Sequence, residues 1–471
     1  MPTTNRPRLL LSAFLMNTTS HILGGLWRHP DAQQHRFNEL KLWTDLAKDL
    51  EAAKFDTLFF ADVVGLYGDY DGGWASHVEK GLQVPANDPL VLASALAATT
   101  EDIGIAVTSS VIQSHPFQFA RQLSTLDHLS NGRVAWNIVT SVLENAHRNF
   151  GGAGLEAHDD RYEWAEEYVE VAYKLWEGSW QDGALLADKS SIHADPSGVS
   201  KIYHRGQRYS VDGPHLSSPS AQRTPLLFQA GSSPRGQQFA AKHAEATFLF
   251  APSIEYIERK VADLRALEVA AGRSEGDVKT FAGVSFVVGS TEAEVKRKLA
   301  EQDEYLDVDA LLAHTGGGFG IDLSGIPHDT LLTDLNLFTQ GAQGHLQAAH
   351  QIRSEGRATL GDLARWRAKQ QQITGTPEQI VDELERYQDA GVDGLNIVNQ
   401  TIPGSFHEFI DGLLPELRRR GLAQTEYAPG TLREKVFGRG ARLEDTHPAA
   451  QYRGAFTEYS AAATNKSRAQ V

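Results

Sequence analysis

The side chains with chemical potential fall at the ends of short apolar runs. Phe14 and His21, Asp62, Thr108 and Ser110, Asn137 and Ser141, Gly231 to Ser233, and Asn396 or Asn399 each follow or close such a run. In α/β proteins the C-terminal ends of strands and the loops beyond them are where ligands are held. The set is rich in hydroxyl, amide and imidazole groups and poor in paired acids. Asp62 is the one carboxylate closing a strand, so two facing carboxyls for glycoside hydrolysis are not indicated. The 18 histidines include no His-Glu-x-x-His run, and no metal site is expected. Gly231-Ser-Ser-Pro-Arg-Gly236 is not a nucleophile elbow. No Gly-x-Gly-x-x-Gly follows a strand and no Walker A run is present, so the chain has no dinucleotide fold of its own.

Gly231 to Gly236 does offer a helix N-terminus with free backbone N–H groups, two hydroxyls and an arginine, which suits an anion such as phosphate. The alternative is that Ser233 only caps a helix opened by Pro234. His158 and Tyr162 stand one helical turn apart and could reach the same anion; His158 could equally be a solvated loop histidine. His21 reads either as a ligand-facing side chain or as an exposed turn residue. Asp62 needs a partner if buried, or serves as a cap. Phe14, Trp136 and Phe228 are aromatic residues more at home in a core. Asn137 could donate to a heteroaromatic ring edge or satisfy backbone at a barrel rim, and Thr108 and Ser110 share one strand face.

Strands and helices alternate along the chain. Apolar runs predict strands at Leu9–Phe14, Asp56–Asp62, Ile103–Thr108, Arg133–Val139, Pro225–Gly231, Thr247–Ala251, Thr280–Gly289 and Val392–Val398. Helical stripes lie between them: Leu40 to Ala53, Pro116 to Leu129, about 161–178, and a capped start at Thr376-Pro377-Glu378-Gln379. Thr291 and Glu294 read as another capping box. Asn131-Gly132 reads as a left-handed helix cap. Eight alternations with near-continuous apolar strands predict an α/β fold, a (β/α)8 TIM barrel; a doubly wound open sheet is the alternative. One barrel domain is expected over 1–435, with insertions at 64–88, 179–223 and 306–374, and a C-terminal extension over 436–471. The 306–374 insertion, with its Gly316 to Gly320 cluster, reads as a lid or partner-contact segment.

The 471 residues carry 44 Lys and Arg against 60 Asp and Glu, a formal charge of −16, which disfavours nucleic acid and anionic membranes. Cysteine is absent, which removes disulfides and thiolate chemistry. The apolar run Leu9 to Met16 is too short for a signal peptide or a membrane span, so a cytoplasmic protein is expected.

Five motifs, GGLWRHP (24–30), KFDTLFFAD (54–62), TLDHLSNGRVAWNIVTS (125–141), HDDRY (158–162) and FQAGSSPRG (228–236), resemble the bacterial-luciferase-like flavin-dependent monooxygenases. The resemblance runs from near residue 8 to about 435. Within that superfamily it is strongest to the group containing nitrilotriacetate, EDTA and dibenzothiophene-sulfone monooxygenases. ADVVGLYGDY (61–70), VPANDPL (84–90) and THPAAQYR (446–453) further resemble the dimethyl-sulfide monooxygenase branch, and riboflavin lyase is a related one. The resemblance implies FMN, used as FMNH2, with O2 as co-substrate and a separate NAD(P)H:flavin reductase as partner. It implies cofactor contacts from Asp62, Thr108, Asn137, His158, Tyr162 and Ser233, with the last three at the phosphate. It places Phe14, His21 and Ser141 beside the reacting edge of the flavin. The implied reaction is oxidative cleavage of a C–S or C–N bond in a small molecule: a dimethyl-sulfide-type thioether, or riboflavin to lumichrome and ribose. A homodimer or homotetramer is implied by analogy. Deazaflavin-dependent hydride transfer and a non-catalytic flavin-binding barrel are the alternatives.

Overall fold

The computed structural model describes residues 6–68, 70–231, 233–250, 253–319, 322–335 and 358–456. The fold is a (β/α)8 barrel of parallel strands alternating with helices. The strands are β1 (Leu10–Met16), β2 (Thr57–Ala61), β3 (Gly104–Ser110), β4 (Val134–Val139), β5 (Leu226–Gln229), β6 (Ala246–Leu249), β7 (Lys279–Val288) and β8 (Gly394–Val398). Each lies on or within a few residues of its expected run, because an all-apolar strand flanked by turn residues is a strong local signal. The chain divides into two compact units. One comprises Met1–Pro89, Phe248–Val261 and Thr280–Thr425; the other comprises Leu90–Thr247, Ala262–Lys279 and Glu426–Val471.

In the first unit the strand order is β7-β8-β1-β2. Register sets Ser12 opposite both Thr57 and Asn396, and Asn396 opposite Gly283, while Phe14 lies opposite Phe59. Helix Leu40–Ala52 buries Leu42, Trp43, Leu46, Ala47 and Leu50, the stripe its spacing predicts. At the foot of β1, Arg8 grips Asp56 through two bonds of 2.8 and 2.9 Å, and the Asp56 carboxylate accepts a third from the Leu11 N–H. Helix Pro377–Asp389 starts with the full Thr376–Gln379 capping box. At Thr291 only half a box forms. Its hydroxyl accepts from the Glu294 N–H, but the Glu294 carboxylate turns to the Ser290 N–H and hydroxyl at 2.8 and 2.7 Å.

The 306–374 insertion is more ordered than its composition suggests. Helices Val308–Phe319 and Leu360–Lys369 pack through Leu311, Leu312, Leu360 and Leu363 onto Leu23, Leu26 and Leu82. Gly316 to Gly318 therefore lie in a helix rather than a loop, held by that leucine face. Gly320, Ile321 and residues 336–357 of the expected lid lie outside the described residues. At the end of the insertion, strand Gln372–Gly375 pairs with Ser285 to Val288 of β7, beyond the Phe281 to Val284 stretch that pairs with β8. The 64–88 insertion contains helix Ala75–Lys80, closed by Gly81 at φ +66°.

The second unit orders its strands β3-β4-β5-β6. Helix Pro116–Leu129 buries Phe119, Ala120, Leu123 and Leu126 and ends as expected, with Asn131 and Gly132 both at positive φ. A methyl at Gly132 would lie 2.6 Å from Thr431 Cγ2, so this turn tolerates only glycine. The connection after β4 carries helix Glu144–Asn149, and the next helix begins at His158, three residues before the predicted 161. Residues 179–223 carry a short hairpin, His204–Arg205 with Ser210–Val211. The C-terminal segment docks through helix Leu432–Phe437, whose Arg433 forms a buried pair with Glu245 at 2.6 Å. Residues 457–471 of the expected tail lie outside the described residues.

Candidate functional site

Within the second unit, β3 and β4 set Thr108 beside Asn137 in register. The Asn137 Nδ2 donates to Thr108 Oγ1 at 2.9 Å, and both residues are buried. Asn137 Oδ1 is buried with no hydrogen-bond partner. An orphaned buried amide oxygen costs free energy unless a ligand or water donates to it. Alternation along β4 turns Trp136 to the opposite face. There it packs on Phe119 at 4.7 Å, donates to the Ser109 carbonyl, and is core.

Beyond β4, Ser141 sits at φ +54°, a conformation rare for a residue with a side chain. Two contacts hold it. Its hydroxyl donates to Ser110 Oγ at 2.8 Å, and the guanidinium of Arg161 donates to its carbonyl. Arg161 is buried and its Nε has no partner; burial pulls its pKa below the ordinary value. The sequence reading passed over Arg161, although its place inside HDDRY was the available signal.

The third part of this unit is the start of helix Pro234–His243. Ser233 caps it, its hydroxyl accepting from the Gly236 N–H at 3.1 Å. Tyr162 is buried against this turn. Desolvation raises the phenol pKa, against the opposing effect of hydrogen bonds with Ser233 and Gln229. The phenol therefore remains a donor at neutral pH. A methyl on Gly236 would fall 2.6 Å from Tyr162 Oη and 2.8 Å from Gly231 Cα, so the two glycines let backbone and phenol converge. Gln229, which ends β5 and accepts from the Gly231 N–H at 2.8 Å, belongs to this cradle. A buried glutamine ending an apolar strand was its legible mark. His158, on the first turn of the preceding helix, is half exposed, 5.3 Å from the Tyr162 ring and 2.7 Å from Asp159. Arg235 is not free for an anion: it pairs with Glu163 at 2.9 Å and Glu166 at 3.3 Å. Ser232, part of the same motif, lies outside the described residues.

In the first unit Phe14 and His21 come together, their rings 4.8 Å apart. Phe59 and Phe248 each lie 5.4 Å from Phe14, and Phe250 lies 6.0 Å from it. His21 is no exposed turn residue. Its Nδ1 is buried without a partner, and burial, with His314 nearby, lowers its pKa to about 3. The imidazole is thus neutral across the physiological range. His314, on the first insertion helix, is lowered to about 4 by burial and lies 5.7 Å from the Tyr67 ring. Neither His314 nor Tyr67 was singled out from sequence, because nothing local shows that the insertion folds back towards His21. Asp62 follows the last residue of β2 and is partly buried.

A cleft of about 820 Å³ in the first unit lies elsewhere, lined among others by Glu294, Lys298, Glu301, Gln302 and Glu408. Its charges pair internally, as in Lys298–Glu408 at 3.1 Å, and no expected site residue lines it. Among the described residues no group of three or more His, Asp or Glu side chains could hold a metal ion, and no helix is long and apolar enough to cross a membrane.

Comparison with known proteins adds four results. Residues 16–394 match the family described as luciferase-like monooxygenase. The chain is 43% identical to the long-chain alkane monooxygenase of Geobacillus thermodenitrificans, over 95% of this chain and 98% of that protein. It is also 43% identical to the dimethyl-sulfide monooxygenase of Hyphomicrobium sulfonivorans, over 96% and 95% of the two chains. A crystal structure of riboflavin lyase with modified FMN and riboflavin superposes with a TM-score of 0.85 at 36% identity, covering 95% of this chain and all of that one.

Proposed function

The chain belongs to the luciferase-like monooxygenase family, and from that premise we propose that it is a two-component, FMNH2- and O2-dependent monooxygenase acting on a small apolar thioether. A separate NAD(P)H:flavin reductase supplies the reduced cofactor in this reading. The observation that carries it is the donor and acceptor set of the second unit. An orphaned amide oxygen at Asn137 suits the N–H edge of a heteroaromatic ring, and the Ser233 helix start with a protonated Tyr162 suits a phosphate.

Reduced flavin supplies the electron pair that activates O2. The protein's own residues bind, orient and exclude water. Thr108 fixes the rotamer of Asn137, so that one amide face is presented in a single orientation. Tyr162, Ser233 and His158 hold the phosphate, with the helix N-terminus adding its partial positive charge. Arg161 keeps Ser141 in its unusual backbone conformation with its hydroxyl on Ser110. The family resemblance assigns Phe14, His21 and Ser141 to the reacting edge of the same flavin and Asp62 to cofactor contact, and we carry those roles into the proposal.

The thioether reading is supported by the first unit. Phe14, Phe59 and Phe248 with a neutral imidazole make an environment for an uncharged, apolar molecule, whereas a polycarboxylate would need cations there. The test is turnover with FMN, NADH, a flavin reductase and a panel of thioethers, alkanes and flavins. A thiol and an aldehyde from dialkyl sulfides are expected. Lumichrome from riboflavin alone would replace the substrate, and hydrogen peroxide as sole product with every compound would defeat the oxygenase reading. The His21→Ala protein is expected to bind FMN normally and to lose product formation.

A further inference from the structure

We infer that Phe250, seated on Gly283, sets the depth of the substrate pocket and hence the length of substrate accepted. This rests on the proposed monooxygenase reading for its substrate class, though not for its geometry. Phe248 and Phe250 are two residues apart at the end of β6 and project to one face. Phe250 packs edge-on to Phe248 at 5.7 Å and to Phe14 at 6.0 Å, and Phe14 in turn touches His21. The exposure grades along the cluster: Phe14 is 4% exposed and Phe250 is 36% exposed, so Phe250 is the member a ligand meets.

Gly283 explains how so large a ring is accommodated. A methyl at this position of β7 would overlap Cδ1 and Cε1 of Phe250 and lie 3.0 Å from Cζ. Its φ is unexceptional, so the position needs glycine for space and not for backbone freedom. The ring occupies the volume that a side chain at 283 would otherwise fill. Opposite Gly283 in register stands Asn396, fully buried, with neither its amide nitrogen nor its oxygen hydrogen-bonded. Phe250 thus covers Gly283, whose neighbour across the sheet is a buried amide left unsatisfied. Withdrawing the ring would open a longer, apolar-walled space ending in an amide.

Binding of dimethyl, diethyl and dibutyl sulfide to the FMN-loaded protein, measured by calorimetry alongside turnover, tests this. Phe250→Ala is expected to tighten the longer sulfides relative to dimethyl sulfide by about fourfold for each additional methylene it admits. Gly283→Ala, which forces the ring outward, is expected to weaken them in the same ratio. FMN affinity should be unchanged in both. Should Phe250→Ala not fold, Phe250→Leu carries the test, with a smaller shift of the same sign. A dibutyl-to-dimethyl ratio within twofold of wild type in a folded, FMN-binding variant would overturn the inference. A shifted binding ratio without oxidation of any sulfide would sink the thioether reading and leave the pocket assignment standing.

Discussion

Removing one oxygen atom, in Tyr162→Phe, separates phosphate recognition from every other contact to the cofactor. The phenol is buried, keeps its proton, and hydrogen-bonds with Ser233 and Gln229 at the start of helix Pro234–His243. If it donates to a phosphate oxygen, its loss removes a hydrogen bond to a charged group, about 1.5–3 kcal/mol. That corresponds to a rise in the FMN dissociation constant of roughly 10- to 150-fold. Riboflavin, identical but for the phosphate, should lose less than about threefold by the same conversion. Fluorescence titration of both flavins against wild type and variant gives the ratio directly, and the difference cancels changes in ring binding. Gly236→Ala reaches the same cradle independently, since its methyl would stand 2.6 Å from the phenol oxygen. Overpacking of this kind costs about 1–3 kcal/mol and should again fall on FMN and spare riboflavin. Equal weakening of the two flavins would make Tyr162 a packing residue. An unchanged FMN affinity would move the phosphate elsewhere.

Two further outcomes concern stability. Arg433→Met strands Glu245, which is 5% exposed and takes both arms of the guanidinium, so unfolding should become easier by about 3–5 kcal/mol. Pairing it with Glu245→Leu should restore most of the loss in a denaturant melt; no recovery would mean that the pair is not the interaction removed. The second concerns pH. Burial holds His21 at about 3 and His215 and His314 at about 4, against about 6.5 in an unfolded chain. Because these are bases with depressed native values, their contribution is complete above pH 6.5. It is lost as pH falls from there, when the unfolded chain takes up protons that the native one refuses. The melting temperature should therefore decline from pH 7 to 5, with these three groups taking up protons on unfolding and His447, which burial also holds well below its ordinary value, adding to them; a flat profile would contradict the assigned burial.

Strand ends were the most legible part of this chain. Thr108, Asn137, Tyr162 and Ser233 could be singled out because polar residues closing apolar strands or opening a helix are conspicuous locally, and the structure gathers all four in one unit. Long-range packing was the illegible part. The burial of His21 depends on helices Val308–Phe319 and Leu360–Lys369 folding onto the loop after β1, hundreds of residues away. Gly316 to Gly318 misled for the same reason, since a leucine face with a packing partner outweighs the low helix propensity of glycine. Arg235 looked like an anion ligand in its motif; its carboxylate partners sit on a different helix, 69 and 72 residues earlier. Arg161 and Gln229 act through backbone groups of neighbouring loops, so HDDRY and the end of an apolar strand marked their positions without showing what they hold.

The most direct test of the account supplies chemically reduced FMN in known amount, with 18O2 and dimethyl sulfide, without a reductase. With the aldehyde reduced to the alcohol as it forms, before its oxygen exchanges with water, one product oxygen labelled from 18O2 per FMNH2 consumed is expected, with the yield lost in His21→Ala while FMN stays bound. Oxidation of FMNH2 to hydrogen peroxide with no labelled product from any sulfide or alkane would contradict the monooxygenase assignment for this chain.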